Sequence, residues 1–253
     1  MRGGRWPANL ATLANGLVGV GAIAYVLAGN PLWAMLLIIS GVGFDGLDGF
    51  LSRRSGLPPN AFGRAADSVS DAVTFGLAPG ALLVVHTRDV STWSPYAPWA
   101  LLVGVAFAAL AIARLVYFTY RGFRRSDFLG APTPQAALAL LVLLLFVDAP
   151  AFRGPSPALA LIGGAAIAAT MVLPVPFPKI RRGSTLRPAM IATAVALVVA
   201  VLVLQFVPAV GSAFYRLAEA AGVFAAAGFA LYYFVGPFTV ARPKASGETN
   251  GSA

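Results

Sequence analysis

The sequence has no cysteine and a single histidine, His86, among its 253 residues. Disulfides, thiolate catalysis and cysteine metal sites are therefore excluded. Charged residues are scarce too, since they make up 11% of the chain, whereas a soluble domain usually has about 25%. The hydrophobic fraction instead reaches 58%, and the mean hydropathy is +0.80. These values exclude an ordinary soluble domain and indicate a membrane protein.

Long apolar runs recur along the chain, separated in most places by Pro and Gly. A helix needs about 20 residues to cross a bilayer. The pattern therefore predicts an all-α fold, a polytopic membrane helical bundle of about eight transmembrane helices. We expect residues 1–240 to form one transmembrane domain and the small, polar residues 241–253 to form a disordered tail. The predicted spans lie near residues 9–29, 32–52, 66–85, 97–118, 133–148, 157–174, 188–207 and 214–236.

The basic residues are distributed unevenly between the two sides of these predicted spans. Fourteen of the 18 Lys and Arg residues fall on one side. Cytoplasmic loops carry an excess of Lys and Arg, so this side is predicted to be cytoplasmic, with both termini on it. The net charge of +9 is explained by these membrane loops, and no nucleic-acid partner is expected. The same loops would also attract anionic lipid or a phosphate-bearing substrate.

Four of the nine acidic residues lie in one short stretch, FDGLDGFLSRRSGLPPNAFGRAADSVSD, at residues 44–71. An ionisable residue within a membrane span is costly, so it indicates function. The first two acids are spaced i, i+3 and the last two i, i+4, so each pair lies on one helix face. The Gly and Pro residues between the pairs predict an antiparallel hairpin that brings both faces together. The four acids are Asp45, Asp48, Asp67 and Asp71.

Four carboxylates in one site of low dielectric repel one another unless protons or cations compensate them. Oxygen ligands without His or Cys suit Mg²⁺, Mn²⁺ or Ca²⁺, and Mg²⁺ commonly binds through carboxylates together with substrate phosphates. Two such ions can clamp a diphosphate and its leaving oxygen. Two alternatives remain at this point. The acids could form ion pairs with Arg53, Arg54 and Arg64, or they could form a cation or proton transport site.

This stretch resembles the signature of the CDP-alcohol phosphatidyltransferase family. Two positions depart from the usual signature. Ser52 replaces an alanine, and the spacer between Arg53 and Gly63 is one residue longer than is common. Neither departure touches the aspartates, and the extra residue falls in the Pro-rich turn. The matching pattern is Asp45-x2-Asp48-Gly49-x2-Ser52-Arg53, followed by Gly63-x3-Asp67-x3-Asp71.

The resemblance implies an enzyme of phospholipid biosynthesis that transfers the phosphatidyl group of a CDP-linked lipid to an alcohol and releases CMP. It implies that the four aspartates hold two divalent ions, Mg²⁺ or Mn²⁺, and that Asp71 is also the general base. It further implies a homodimer. The distribution of Lys and Arg predicts that the active site, in a protein of the cell membrane, faces the cytoplasm. The residues implied to bind the CDP-lipid are Asn9, Thr12, Gly49, Arg53 and Gly63, although helix capping is an alternative role for the first two.

Other segments resemble the integral-membrane phosphatidylserine synthases within this family. They are NLATLANGLVGVGAIA, DSVSDAVTFGLAPGALL, DFLGAPTPQAALALL and MVLPVPFPK, in the same order along the chain. The resemblance implies CDP-diacylglycerol as the donor and L-serine as the acceptor. Archaeal relatives use an ether-lipid donor with similar motifs, so CDP-archaeol remains equally open.

The acceptor site has weaker signals than the aspartate stretch. A guanidinium binds a carboxylate through two hydrogen bonds, so Arg114, within the fourth predicted span, is the candidate partner for serine. Snorkelling of Arg114 to the membrane interface is the alternative. Thr133, beside two prolines in a predicted cytoplasmic loop, is a second acceptor-binding candidate. Glycerol 3-phosphate or an inositol phosphate as acceptor, an aromatic prenyltransferase and a cation transporter remain as alternative functions.

Overall fold

The computed structural model describes residues 6–57, 61–89, 95–121, 128–147 and 157–177, together with 192–193, 195–199, 201–203 and 228. These residues are helical almost throughout, as predicted. The one addition within the described ranges is an antiparallel pair of two-residue strands, β1 (Phe128–Leu129) and β2 (Pro176–Phe177). The helices up to residue 177 are α1 (Trp6–Leu27), α2 (Pro31–Ser55), α3 (Ala61–Asp71), α4 (Ala78–Asp89), α5 (Ala97–Arg121), α6 (Thr133–Val147) and α7 (Pro157–Val172), with a π-helical turn (Ala72–Leu77) joining α3 to α4.

Four stretches of helix in the described part of the chain are long and apolar enough to cross a membrane. They are Trp6–Leu27, Pro31–Ser55, Ala61–Thr87 and Ala97–Thr119. Two shorter apolar helices follow, α6 and α7. These six correspond to the first six predicted spans. The predicted seventh span is described only in part, as helix within 192–203; the eighth, apart from residue 228, and the tail at 241–253 lie outside the described residues.

The ends of α2 are set by residues with special backbone properties. Pro31 opens the helix, where its missing N–H costs nothing because the first N–H groups have no helical partner anyway. Gly56 follows the last turn with a φ of +65°, the left-handed conformation that favours glycine at a helix end. α2 therefore stops just after its acidic face, and the chain continues into α3, whose acidic face then meets it.

The helices pack closely where small residues face each other. A Cβ atom placed on Gly104 of α5 would lie 2.6 Å from the carbonyl oxygen of Gly80 on α4, so these backbones touch. α6 is enclosed by the other helices, because ten of its 15 residues are buried. The first residue of α6, Thr133, is buried and lies inside the bundle.

Two contacts fix how α5 lies along α3 and the π-helical turn. The hydroxyl oxygens of Ser68 and Thr119 are 2.6 Å apart. A Cβ atom on Gly76 would lie 3.2 Å from the Cβ atom of Ala111. The higher residue number on one helix thus opposes the lower number on the other, so α5 runs antiparallel to α3. This register sets the depth of residues on α5 relative to the acidic residues of α3.

Candidate active site

Three of the aspartates form one compact cluster between α2 and α3. One carboxylate oxygen from each of Asp45, Asp67 and Asp71 lies within 4.8 Å of the others. Asp71 is buried, and the other two are half-buried. The two acidic helix faces therefore meet, as the spacing of the acids and the turn between them predict.

Asp48, the fourth aspartate, joins the cluster from α2 and is tied to α1. It is buried, with 7% of its surface exposed, and its carboxyl group lies near that of Asp67. The hydroxyl of Thr12 lies 2.8 Å from Asp48 Oδ2 and donates to it. Thr12 lies in the second turn of α1, so a helix-capping role for it is wrong. Its neighbour on that face, Asn9, is exposed.

Asn15 connects α1 to Asp71 and is a functional candidate that the sequence patterns did not indicate. Its side chain is fully buried, and Nδ2 donates a hydrogen bond of 2.8 Å to Asp71 Oδ1. The hydroxyl of Thr74 donates to the backbone oxygen of Asn15 at 2.7 Å. Gly41 on α2 leaves room for this side chain, because a Cβ atom there would lie 3.0 Å from Asn15 Oδ1. The sequence signal that could have identified Asn15 is a polar side chain three residues after Thr12 within an apolar run.

The helix changes form directly after Asp71. The π-helical turn covers Ala72–Leu77, and its residues Thr74, Phe75 and Gly76 are buried. Turns of this kind are rare and occur frequently at functional sites. The turn carries Thr74, whose hydroxyl reaches the backbone of α1. No feature of the sequence predicted this π-helical turn.

Two of the residues implied to bind the CDP-lipid lie against each other at the end of α2. A Cβ atom on Gly49 would lie 3.2 Å from Nη1 of Arg53, so the guanidinium folds back over the glycine. Gly63 is half-buried on α3. Arg53, like its basic neighbours Arg54 and Arg64, is exposed. These arginines are exposed, whereas two of the four aspartates are buried, which argues against ion pairs as the whole explanation of the acidic cluster.

The donor atoms of the cluster fit a divalent cation. Asp67 Oδ1 is buried and has no hydrogen-bond partner among the described residues. Burying such an oxygen without a partner is costly, and the cost is greater when it is charged. A hard divalent ion would provide that partner and would offset the repulsion among the carboxylates. The arrangement is therefore an acidic cluster suited to binding metal.

The two predicted acceptor residues also contact each other. Arg114 is 7% exposed, and its Nη1 donates a hydrogen bond of 2.9 Å to Thr133 Oγ1. The guanidinium lies 4.6 Å above the ring centre of Phe118. Arg114 thus lies within the bundle, where it is hydrogen-bonded to a neighbouring helix. Thr133 was placed in a loop; it is instead the fully buried first residue of α6.

Comparison with known proteins gives a family match. A sequence model of the family described as CDP-alcohol phosphatidyltransferase matches residues 5–176. The match covers more than half of the chain and contains all four aspartates, the Asn15 contact and the Arg114–Thr133 pair.

Curated proteins are similar to this chain at about 30% identity. The archaetidylserine synthase of Methanothermobacter thermautotrophicus is 30% identical over 133 residues, which are 52% of this chain and 54% of that protein. The CDP-diacylglycerol–serine O-phosphatidyltransferase of Bacillus subtilis is 28% identical over 174 residues, 68% of this chain and 90% of that protein. The enzyme of the same name from Mycobacterium tuberculosis H37Rv is 30% identical over 154 residues, 56% of this chain and 51% of that protein. The matches thus span about half the length of the archaeal and mycobacterial relatives.

Proposed function

Because the chain belongs to the CDP-alcohol phosphatidyltransferase family, we propose that it transfers the phosphatidyl group of CDP-diacylglycerol to the hydroxyl of L-serine. The products are phosphatidylserine and CMP; with CDP-archaeol as donor, the lipid product is archaetidylserine. The observation that carries this proposal is the meeting of Asp45, Asp67 and Asp71 on two membrane-length helices. The names of the archaeal, Bacillus and mycobacterial relatives support serine as the acceptor.

The proposed cofactor is a pair of Mg²⁺ or Mn²⁺ ions. Asp45, Asp48, Asp67 and Asp71 would hold them, and they would supply positive charge to the diphosphate and to the departing CMP. The unpartnered Asp67 Oδ1 supports this assignment. The CDP group would bind at the edge of the cluster, against Asn9, Thr12, Gly49, Arg53 and Gly63. The guanidinium of Arg53 would contact a phosphate.

Asp71 is proposed as the general base. A hydroxyl becomes an effective nucleophile when a base takes its proton. Asp71 is 7% exposed, and one of its oxygens already accepts a hydrogen bond from Asn15. Its other oxygen is then available to take the proton of the serine hydroxyl. The serine oxygen would attack the phosphorus attached to the lipid, and CMP would leave.

Arg114 and Thr133 are proposed to bind the carboxylate of serine. Arg114 lies on α5 three residues from Ala111 and five from Thr119. Thr119 contacts α3, and Ala111 lies against the π-helical turn that follows α3. This register brings Arg114 level with the start of the π-helical turn, about 3 Å from Asp71 along the helix axis. A guanidinium at this depth suits the carboxylate of a serine molecule whose hydroxyl must reach Asp71.

The proposed membrane arrangement has eight spans with both termini in the cytoplasm. α2 ends with Arg53 and Arg54, and Arg64 follows in the first turns of α3. Basic residues next to spans mark the cytoplasmic side, so the acidic cluster would open toward the cytoplasm, where serine is present. A homodimer in the cell membrane is part of the same proposal.

The acceptor assay tests the proposed function. Purified full-length chain in detergent is incubated with CDP-diacylglycerol, Mn²⁺ or Mg²⁺, and one alcohol at a time, and CMP release is measured. We expect release with L-serine, loss of release with excess EDTA, and recovery when either metal is added back. The Asp45→Ala variant serves as the blank. Release with glycerol 3-phosphate or an inositol phosphate but not with serine would overturn the choice of acceptor.

A further inference from the structure

We propose that Asn15 is a positioning residue that sets the orientation of the Asp71 carboxylate within the acidic cluster. The proposal deepens the proposed function and rests on it for its effect on turnover. It starts from the side-chain hydrogen bond of 2.8 Å between Asn15 Nδ2 and Asp71 Oδ1. Only the amide nitrogen can donate to an ionised carboxylate, so the chemistry of the pair fixes which way the amide faces.

The position of Asn15 is itself held from two sides. Its backbone oxygen accepts a hydrogen bond of 2.7 Å from the hydroxyl of Thr74, which lies in the π-helical turn. On the other side, Gly41 leaves just enough space for the amide oxygen, as a Cβ atom on Gly41 would lie 3.0 Å from Oδ1. A donor held in this way restricts the rotation of the carboxylate that it contacts. Asp71 is thereby fixed at the point where the helix changes form.

The same geometry argues against a purely stabilising role. Asn15 Oδ1 is buried and has no hydrogen-bond partner among the described residues. An amide buried with one end unsatisfied is unfavourable, so an apolar side chain of similar size would avoid that cost but would also leave Asp71 Oδ1 without its donor. Asn15 therefore contributes less to stability than a fully satisfied buried amide would. Loss of function without a matching loss of stability is the signature that separates a positioning role from a structural one.

The test compares Asn15→Leu with wild type, using Thr119→Val as the matched control. Thr119→Val also removes a hydrogen bond between helices, the one to Ser68, but touches no aspartate. For Asn15→Leu we expect kcat to fall about 10- to 100-fold, as for residues that orient metal-site carboxylates. The KM for serine should change less than about threefold, and the melting temperature should fall no more than it does in Thr119→Val. The control should keep kcat within about threefold of wild type.

Titration with Mn²⁺ alone, followed by electron paramagnetic resonance, gives a second readout that does not depend on transfer. Asn15→Leu is expected to bind Mn²⁺ about 10-fold more weakly, because Asp71 is no longer held. If the Leu variant fails to fold, Asn15→Ser replaces it in the test. Serine is too short to reach Asp71, so this variant should also bind Mn²⁺ more weakly than wild type. Mn²⁺ affinity and kcat within threefold of wild type in a folded Asn15 variant would overturn the proposal. So would losses that only follow a fall in melting temperature.

The two readouts also separate this inference from the proposed function. If wild type binds Mn²⁺ but transfers to no alcohol, the proposed function fails, and the effect of Asn15 on Mn²⁺ affinity still decides the positioning role. If wild type transfers to an alcohol other than serine, the comparison of kcat is repeated with that alcohol. Unchanged Mn²⁺ affinity and turnover in the variants, with an active wild type, contradict the role of Asn15 alone.

Discussion

Asp71→Asn is expected to lower transfer of the phosphatidyl group about 10²- to 10⁴-fold, the range typical for loss of a general base. Asparagine has the size of aspartate but cannot take the proton of the acceptor hydroxyl. Its amide oxygen can still accept the hydrogen bond that Asn15 donates to Asp71, so the local packing should survive. Binding of CDP-diacylglycerol should therefore be retained better than activity. Turnover is measured as CMP release, and binding with labelled donor in the absence of acceptor.

Asp45→Asn provides the contrast for this prediction. Asp45 belongs to the same cluster but has no proposed role in proton transfer. We expect this variant to lose donor binding together with turnover, because the diphosphate is held through the metal cluster. Wild-type turnover in Asp71→Asn would contradict the role of Asp71 as general base. An equal loss of donor binding in both variants would show that Asp71 acts in metal binding alone.

Arg114→Lys is expected to raise the KM for serine about 10- to 100-fold, because a hydrogen-bonded ion pair within the protein is lost or weakened. Lysine keeps the positive charge but lacks the planar group that binds a carboxylate through two hydrogen bonds. The KM for CDP-diacylglycerol should stay within about threefold of wild type. Initial rates over a range of serine concentrations, at saturating donor, measure the effect.

Two comparisons make the Arg114 prediction specific. Arg54→Lys changes an exposed arginine at the end of α2, and its KM for serine should match that of wild type. Ethanolamine lacks the carboxylate, so any slow transfer to it should be the same in wild type and in Arg114→Lys. A folded Arg114→Lys enzyme with an unchanged KM for serine would show that another group holds the carboxylate.

The parts of the structure that follow from local patterns could be predicted from the sequence. Long apolar runs predicted membrane helices; in the described chain, four are long enough to cross a membrane, and two more of the predicted runs form shorter apolar helices. Helical periodicity predicted that Asp45 and Asp48 share a face, and the turn around Gly56 predicted that α3 would fold back on it. Both expectations depend on residues within one turn or one connection of each other. Such short-range relations can be read directly from a single sequence.

Relations between distant segments could not be predicted in this way. Asn15 and Asp71 are 56 positions apart, and in the sequence Asn15 is only a polar interruption of an apolar run. The π-helical turn packs against α1 and α5, which are distant from it in the sequence. Thr133 was assigned to a loop because prolines flank it, yet proline is compatible with the first turn of a helix, and α6 begins there. Its contact with Arg114 became apparent only with the packing of α5 on α6.

The central claim is that the aspartate cluster transfers a phosphatidyl group to serine. The most direct measurement incubates the purified full-length chain with CDP-diacylglycerol, Mn²⁺ and radiolabelled L-serine, and then follows label in extracted lipid together with CMP. The account predicts that labelled lipid and CMP form in equal amounts, and that neither forms without metal or in Asp45→Ala. Release of CMP with no label entering the lipid would contradict it.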